Sequence, residues 1–389
     1  MAERKRIVLI FSYNENWIGG TYYILNLGCA LNTLPDEQKP EITLCASTKK
    51  EFEYFANETK YPYLCFFEMN NEKLKISFIK RLLNKLIFIF FKEQSYFNIN
   101  KKHLLQNEYD LVFSNPNGAF FELISNEKKY YWIPDFQEDY LKDMFSKQEI
   151  VCRKQDQIAK ALLVDKLVFS SQDAKSDFNR LYPFATCKQY VLPFAVTHPA
   201  YEMIDIEELK RKFNINKNYF YAPNQFWTHK NHKIIIEAVY CLKEKGINIT
   251  VVFSGKESDY RNESYVTELK YIVKKKSLEN NILFLGFIDR KELLCLMKNA
   301  IAIIQPSLFE GWSTVIEDVK AMNQFVIASD LKVHKEQINQ NVLFFNPYKT
   351  DELVKCIESI LKLTIIEKKD NHYRNSIELF AQNFISILK

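Results

Sequence analysis

The segment Arg6 to Tyr13 holds a continuous apolar run, Ile7-Val-Leu-Ile-Phe11, followed by a glycine pair, Gly19-Gly20. Apolar residues at helical spacing then run from Tyr22 to Leu34: Ile24, Leu27, Leu31 and Leu34. A strand apolar on both faces must be covered on both, as in a parallel sheet between helices. Parallel neighbours need a crossover rather than a hairpin, so repeated strand, loop and helix commits a chain to α/β architecture. Strands are expected again over Glu41–Ala46, Tyr109–Ser114, Lys128–Ile133, Lys166–Ser170 and Gln189–Leu192. Pro193 and Pro199 then break both periodicities, and Val196–Tyr201 reads as a linker between domains. The alternation restarts with strands over Tyr219–Ala222, Thr250–Ser254, Ile282–Leu285, Ala300–Ile304, Phe325–Ala328 and Val342–Phe345. The chain has 389 residues, enough for two such domains.

A net charge of +5 is too mild to argue for nucleic acid, and no motif for DNA or RNA is present. The 8 cysteines are scattered, without a Cys-x-x-Cys pair or a His cluster, which argues against structural zinc and a disulfide framework. Most are expected to be small core residues. The longest wholly apolar run, Leu86–Phe91, is far too short to span a bilayer, and no signal peptide is visible. A cytoplasmic setting follows as the expectation. Lys73 to Lys92 carries Lys73, Lys75, Lys80, Arg81, Lys85 and Lys92 with no acid between them. Ile79, Leu82, Leu83, Leu86 and Phe90 recur there at helical spacing, so a basic amphipathic helix is expected. Such a helix either meets the inner face of a membrane or packs on a core with its cations solvated.

The most informative stretch is Pro306 to Asp318. It lies between an apolar strand and a segment of helical period, Val315 to Met322. A helix start offers unbonded backbone N–H groups and a positive dipole end, where a phosphate can sit. Glu310 is on the loop, and Glu317 and Asp318 are in the first turns. Carboxylates there can accept hydrogen bonds from sugar hydroxyls. A structural reading stands beside this one: Thr314-x-x-Glu317 fits a capping box, in which Glu317 only satisfies backbone N–H groups.

Glu310-Gly-Trp-Ser-Thr-Val-Ile-Glu-Asp318 resembles the Glu-x7-Glu signature of family-four retaining glycosyltransferases. Counted without gaps, the second acid is Asp318. The resemblance implies the GT-B fold, two Rossmann-like doubly wound domains facing a cleft. The expected division is an acceptor-side domain over residues 1–198, a nucleotide-sugar-binding domain over 199–370, and a terminal helix over 371–389 packing back on the first. It further implies transfer, with retention, of a hexose or deoxyhexose from a nucleotide-diphosphate sugar to a glycan or lipid-linked glycan. Cell-surface polysaccharide synthesis is the implied setting.

The resemblance also assigns sites. Glu310 would hold sugar hydroxyls near the reacting carbon, and Lys230 would meet the departing diphosphate. Gly19, Gly20, Gln225, Gly311, Trp312, Ser313, Thr314, Glu317 and Asp318 would complete the donor site. The glycine pair is a loop in this reading, open to phosphate. A Gly-Arg-x-x-x-x-Lys-Asn pattern is common in the family; here Lys230-Asn231 fits and Gln225 stands at the Arg position. Asp135 and Glu138 fall on the acceptor side, with Glu138 where many relatives carry a His. His229 and His232 flank Lys230 and could donate to phosphate or lie on the surface. No Asp-x-Asp motif stands out, so no metal and no cofactor beyond the donor are expected. The departures at Gln225 and Glu138 motivate an alternative: a non-catalytic, nucleotide-sugar-binding subunit of a transferase complex.

Overall fold

The structure is a computed structural model that describes residues 4–69, 82, 86, 105, 108–117, 119–259, 261–363 and 372–388. The basic helix expected over 73–92 lies outside these residues apart from Leu82 and Leu86.

The first domain runs β1 (Arg6–Ile10), α1 (Ile18–Asn32), β2 (Glu41–Ala46), α2 (Lys49–Thr59), β3 (Leu64–Glu68), β4 (Leu111–Phe113), β5 (Tyr131–Ile133), α3 (Gln137–Tyr140), α4 (Lys147–Leu163), β6 (Lys166–Phe169), α5 (Gln172–Leu181) and β7 (Lys188–Val191). Its strands pair in parallel in the orders β3-β2-β1-β4 and β5-β6-β7. A bridge between Val112 and Lys129 links the two sheets. β3 was not expected from the sequence. Its residues are only half-buried or exposed, so Leu64-Cys-Phe-Phe-Glu68 shows no clean period.

The second domain runs α6 (Ile206–Lys212), β8 (Phe220–Pro223), α7 (His232–Glu244), β9 (Val251–Ser254), α8 (Tyr265–Lys275), β10 (Ile282–Phe284), α9 (Arg290–Lys298), β11 (Ile303–Gln305), α10 (Thr314–Ala321), β12 (Val326–Ser329), α11 (Lys332–Gln337), β13 (Val342–Phe345) and α12 (Thr350–Leu361). Its parallel order is β10-β9-β8-β11-β12-β13. The winding reverses between β8 and β11. The carboxyl ends of those two strands therefore splay apart, which is where ligands bind in open α/β sheets.

The last helix, α13 (Tyr373–Ser386), returns to the first domain. Phe380, Ala381 and Phe384 are buried in the same core as Ile7, Leu9 and Tyr23. Tyr130 Oη donates to the Ile387 carbonyl at 2.6 Å.

Two expectations are corrected here. Gly19 and Gly20 are not a loop but lie in the first turn of α1, which starts at Ile18. Gly20 is needed for packing: a Cβ there would lie 2.6 Å from the Trp17 ring. That ring stacks on Trp132 at 5.5 Å. The cysteines are all free, but only Cys45 and Cys295 are buried, and Cys65 and Cys152 are exposed.

Candidate active site

The loops after β8, β9, β10 and β11 form the second domain's wall of a cleft of about 800 Å³. The facing wall comes from the first domain, with Tyr13, Trp17, Gly19 and Asp135. At Gly311 the two domains approach closely. A Cβ there would lie 2.7 Å from the Pro134 carbonyl oxygen and 2.8 Å from Asp135 Cβ. Only glycine admits that approach.

Lys230 ends a short turn, Thr228–Lys230, directly before α7. The turn is tied to the β11 loop on both sides. Leu308 N donates to the His229 carbonyl at 2.8 Å. Asn231 Nδ2 donates to the carbonyls of Pro306 and Pro347. This brings Lys230 Nζ to 2.6 Å from Glu310 Oε1, with side-chain exposures of 17% and 10%. Glu310 Oε1 also accepts from Gln305 Nε2 at 2.8 Å and Ser307 Oγ at 2.7 Å. Burial pushes the Glu310 carboxyl up, but Lys230 and the other donors outweigh it, and the group sits below its ordinary value. Three donors on one oxygen leave Oε2 without a hydrogen-bond partner among the described residues. Glu310 can therefore accept from a ligand without losing its anchor.

The start of α10 departs from the capping box expected on Thr314 and Glu317. The N-cap is Ser313, whose side chain accepts from Ile316 N. The box position three residues on is then Ile316, which has no carboxylate. Gln337 clamps Ser313 from α11: Ser313 N donates to its Oε1 at 3.1 Å, and its Nε2 donates to the Ser313 carbonyl at 2.7 Å. The Ser313 N–H is thus taken. The open N–H groups of this helix start are those of Thr314 and Val315. Glu317 is turned inward. It accepts from Lys320 Nζ at 2.8 Å, Gln337 Nε2 at 2.9 Å and Tyr373 Oη at 2.5 Å. It does not line the cleft, whereas Thr314 and Asp318 do.

Asp318 is 1% exposed and already engaged. Arg290 grips it bidentately, NH1 to Oδ2 at 2.8 Å and NH2 to Oδ1 at 2.5 Å. His198 Nε2 lies 3.0 Å from Oδ1. Burial pushes this carboxyl up, and Arg290 and His198 bring it below the ordinary aspartate value. Arg290 also lies over the Tyr22 ring of the first domain, 5.3 Å from its centroid. Trp312 donates its indole N–H to the Phe194 carbonyl at 3.0 Å. Gln225 Nε2 donates across the cleft to the Glu15 carbonyl at 3.2 Å.

The histidines differ from each other. His229 lines the cleft and is 4% exposed. Burial, with Lys230 and Arg261 nearby, holds it neutral at ordinary pH. His232 is neither a surface residue nor a cleft residue. It stacks on Phe226 at 4.5 Å, and burial lowers it to about 3.

On the first domain, Asp135 lines the cleft, with Oδ1 accepting from Gln137 N at 3.1 Å. Burial holds its carboxyl above the ordinary value. Glu138 does not face the cleft, contrary to expectation. It is 1% exposed and accepts from Gln157 Nε2 at 2.5 Å and Arg153 NH1 at 3.3 Å. Its carboxylate anchors Arg153, which does line the cleft. Sequence reasoning passed over Arg153, Arg290 and Gln305. Only Arg290 left a usable signal: a cation in the strand–turn–helix after Gly286.

Comparison with known proteins bears on the fold and on the second domain. Residues 205–378 match the family described as glycosyl transferases group 1. The O-antigen chain mannosyltransferase RfbU of Salmonella typhimurium is 27% identical over 157 residues, 40% of this chain and 42% of that protein. The chain thus spans about two-fifths of the curated relative it matches. Among solved structures, Anabaena Alr3699/HepE in complex with UDP and glucose has a TM-score of 0.61 at 15% identity, covering 99% of this chain and 97% of that one. The trehalose 6-phosphate synthase of Burkholderia multivorans has a TM-score of 0.65 at 11% identity, covering 99% and 98%. The protein has the GT-B fold, and its second domain is similar to the glycosyl transferases group 1 over residues 205–378.

Proposed function

We propose that this protein is a retaining glycosyltransferase that moves a hexose or deoxyhexose from a nucleoside-diphosphate sugar to a glycan or lipid-linked glycan, in the assembly of a cell-surface polysaccharide. The observation that carries this reading is the Lys230–Glu310 pair at the reversal of the sheet. A cation, a carboxylate with one open oxygen and a helix start converge there. Likeness to a protein named as an O-antigen chain mannosyltransferase, and to a structure holding UDP and glucose, supports the substrate class.

Negative charge grows on the β-phosphate as the sugar leaves. Lys230 and the Thr314 and Val315 N–H groups are the donors positioned to meet it. Glu310 Oε2 accepts from sugar hydroxyls and holds the reacting carbon in place. Asp318, with Arg290 on it, faces the ribose. The positive charge comes from side chains and a helix end, so transfer should survive EDTA.

A thermal-shift screen with UDP-glucose, GDP-mannose and dTDP-rhamnose identifies the donor. NMR of the product then reports the anomeric configuration. Glu310→Gln is expected to lower kcat more than it raises KM, because the contact tightens in the transition state. Unchanged turnover in both Glu310→Gln and Lys230→Ala would overturn the assignment. Donor binding without slow donor hydrolysis would favour a non-catalytic subunit.

A further inference from the structure

We infer that Gln305 is the positioning residue of this site: its amide fixes Glu310 so that Oε1 faces the protein and Oε2 is left for substrate, and it ties that carboxylate to the Ser313 cap of α10. The inference rests on the function proposed above. It begins from an oddity of sequence. β11 is an interior strand, Ile303-Ile-Gln305, and its last residue is a fully buried amide. A buried amide is unfavourable unless its donors and acceptor are all satisfied.

The satisfaction comes entirely from side chains of the site. Gln305 Oε1 accepts from Asn224 Nδ2 at 2.9 Å, on the loop after β8. Its Nε2 has acceptors at 2.8 Å (Glu310 Oε1), 3.1 Å (Ser307 Oγ) and 3.3 Å (Ser313 Oγ). An amide nitrogen carries two hydrogens, and the ionised acceptor takes one of them first. The other is left to the two serine hydroxyls. Ser307 sends its own proton on to Glu310 Oε1 at 2.7 Å.

Another buried glutamine of this domain shows what a purely structural role looks like. Gln324 Nε2 donates to the carbonyls of Met297, Lys298 and Ala300, filling the end of α9 and touching no cleft residue. Gln305 instead joins four side chains from the two loops that define the sheet's reversal. Lys230 alone could neutralise Glu310, but a flexible ammonium does not set the carboxylate's rotation. The planar amide, held at its other end by Asn224, does.

The groups facing Glu310 are Lys230 and Gln305, His334 from α11, and Asp135 across the cleft. Gln305, together with Ser307 on the loop that follows it, supplies the uncharged donors that favour the ionised carboxylate. The test is kcat for release of nucleoside diphosphate from about pH 3, below the ordinary carboxylate range, up to about pH 9, with whichever of UDP-glucose, GDP-mannose or dTDP-rhamnose stabilises the protein. Gln305→Leu is expected to lower kcat by about 10- to 100-fold with donor KM changed far less. The acid limb of its kcat profile should move to higher pH. Ser307→Ala should move the limb the same way by a smaller amount, and it carries the test if Gln305→Leu does not fold. A lower kcat with an unmoved acid limb means a merely structural glutamine and overturns the inference. So does wild-type kcat in folded Gln305→Leu while Glu310→Gln is inactive. Normal turnover in Glu310→Gln would instead sink the functional reading itself.

Discussion

Replacing Lys230 by Met removes one charge of a largely but not fully buried pair and keeps the volume, so it isolates what the ammonium does for Glu310. At 2.6 Å and an effective dielectric constant near 20, the pair's attraction is about 6 kcal/mol. Most of that is offset in the native protein by desolvation of both groups. Deleting one partner leaves the other's desolvation uncompensated, which typically costs about 3–5 kcal/mol. The protein has one escape: Glu310 can take up a proton. From the ordinary value of 4.5, protonating a carboxyl costs about 5 kcal/mol at a pH of about 8 and about 1.4 kcal/mol at a pH of about 5.5. That cost is a ceiling on the loss. The deficit should therefore be about 3–5 kcal/mol near pH 8 and no more than about 1.5 kcal/mol near pH 5.5.

The direction follows from the two proteins having opposite shifts. In the wild type, the Glu310 carboxyl lies below its unfolded value, so its stabilisation is complete above 4.5 and is lost as pH falls through the depressed value. In Lys230→Met the shift becomes upward, because burial remains and the ammonium is gone. That variant gains relative stability as pH falls. Urea unfolding followed by tryptophan fluorescence at both pH values measures the deficit. Repeating it in a Glu310→Gln background closes a double-mutant cycle. In that background the lysine substitution should be neutral or stabilising and independent of pH, because it removes an ammonium that has already lost its partner. An equal deficit at both pH values in the Glu310 background would refute the reasoning, since it would mean that the carboxylate does not depend on Lys230.

Gly311→Ala should push the domains apart, because the new Cβ has the Pro134 carbonyl at 2.7 Å and backbone cannot yield cheaply. A stability loss of about 1–3 kcal/mol is expected with a larger radius of gyration by X-ray scattering, and unchanged scattering would contradict it. Tyr373→Phe removes a hydrogen bond to a buried carboxylate and should cost about 1.5–3 kcal/mol. With Glu317→Gln it should show a coupling of at least about 0.5 kcal/mol in the same unfolding assay. If Glu317→Gln instead raised donor KM without loss of stability, Glu317 rather than Asp318 would face the donor.

The elements around the site were legible because each is set by local pattern. An apolar run, a polar loop and a helical period are enough to place β8, β11, α7 and α10 to within a few residues. What the sequence could not give is direction. Glu317 and Asp318 are adjacent on α10, and a helix sends neighbours about 100° apart, so one faces the cleft when the other does not. Counting along the motif chose Asp318 for the cleft. The inward fate of Glu317 depends on Tyr373, which arrives from α13 by way of the first domain. Local reading gave Glu317 a cap instead, since nothing nearby shows that Ser313 has already filled that place. Glu138 was misplaced for the same reason. Its partner Gln157 lies on α4 and is itself held by Tyr182 Oη at 2.7 Å, a relay with no sequence period.

Asp318 shows a subtler limit. It lines the cleft, yet its chemistry is not that of a lone carboxylate. Oδ1 is shared by Arg290 and His198, and Oδ2 by Arg290 alone. A carboxylate oxygen has about two lone-pair sites, so Oδ2 retains one acceptor position for a ribose hydroxyl. A vicinal diol offers two hydroxyls. In the proposed function the second one would accept from the guanidinium beside it. Arg290 and Asp318 would thus present the nucleoside with a donor and an acceptor in fixed relation, and the Tyr22 ring beneath Arg290 would bring the first domain into that contact. A cation two elements away in sequence completes what the motif's second acid begins, and only the folded sheet, with β10 and β11 opening onto one cleft, puts them side by side.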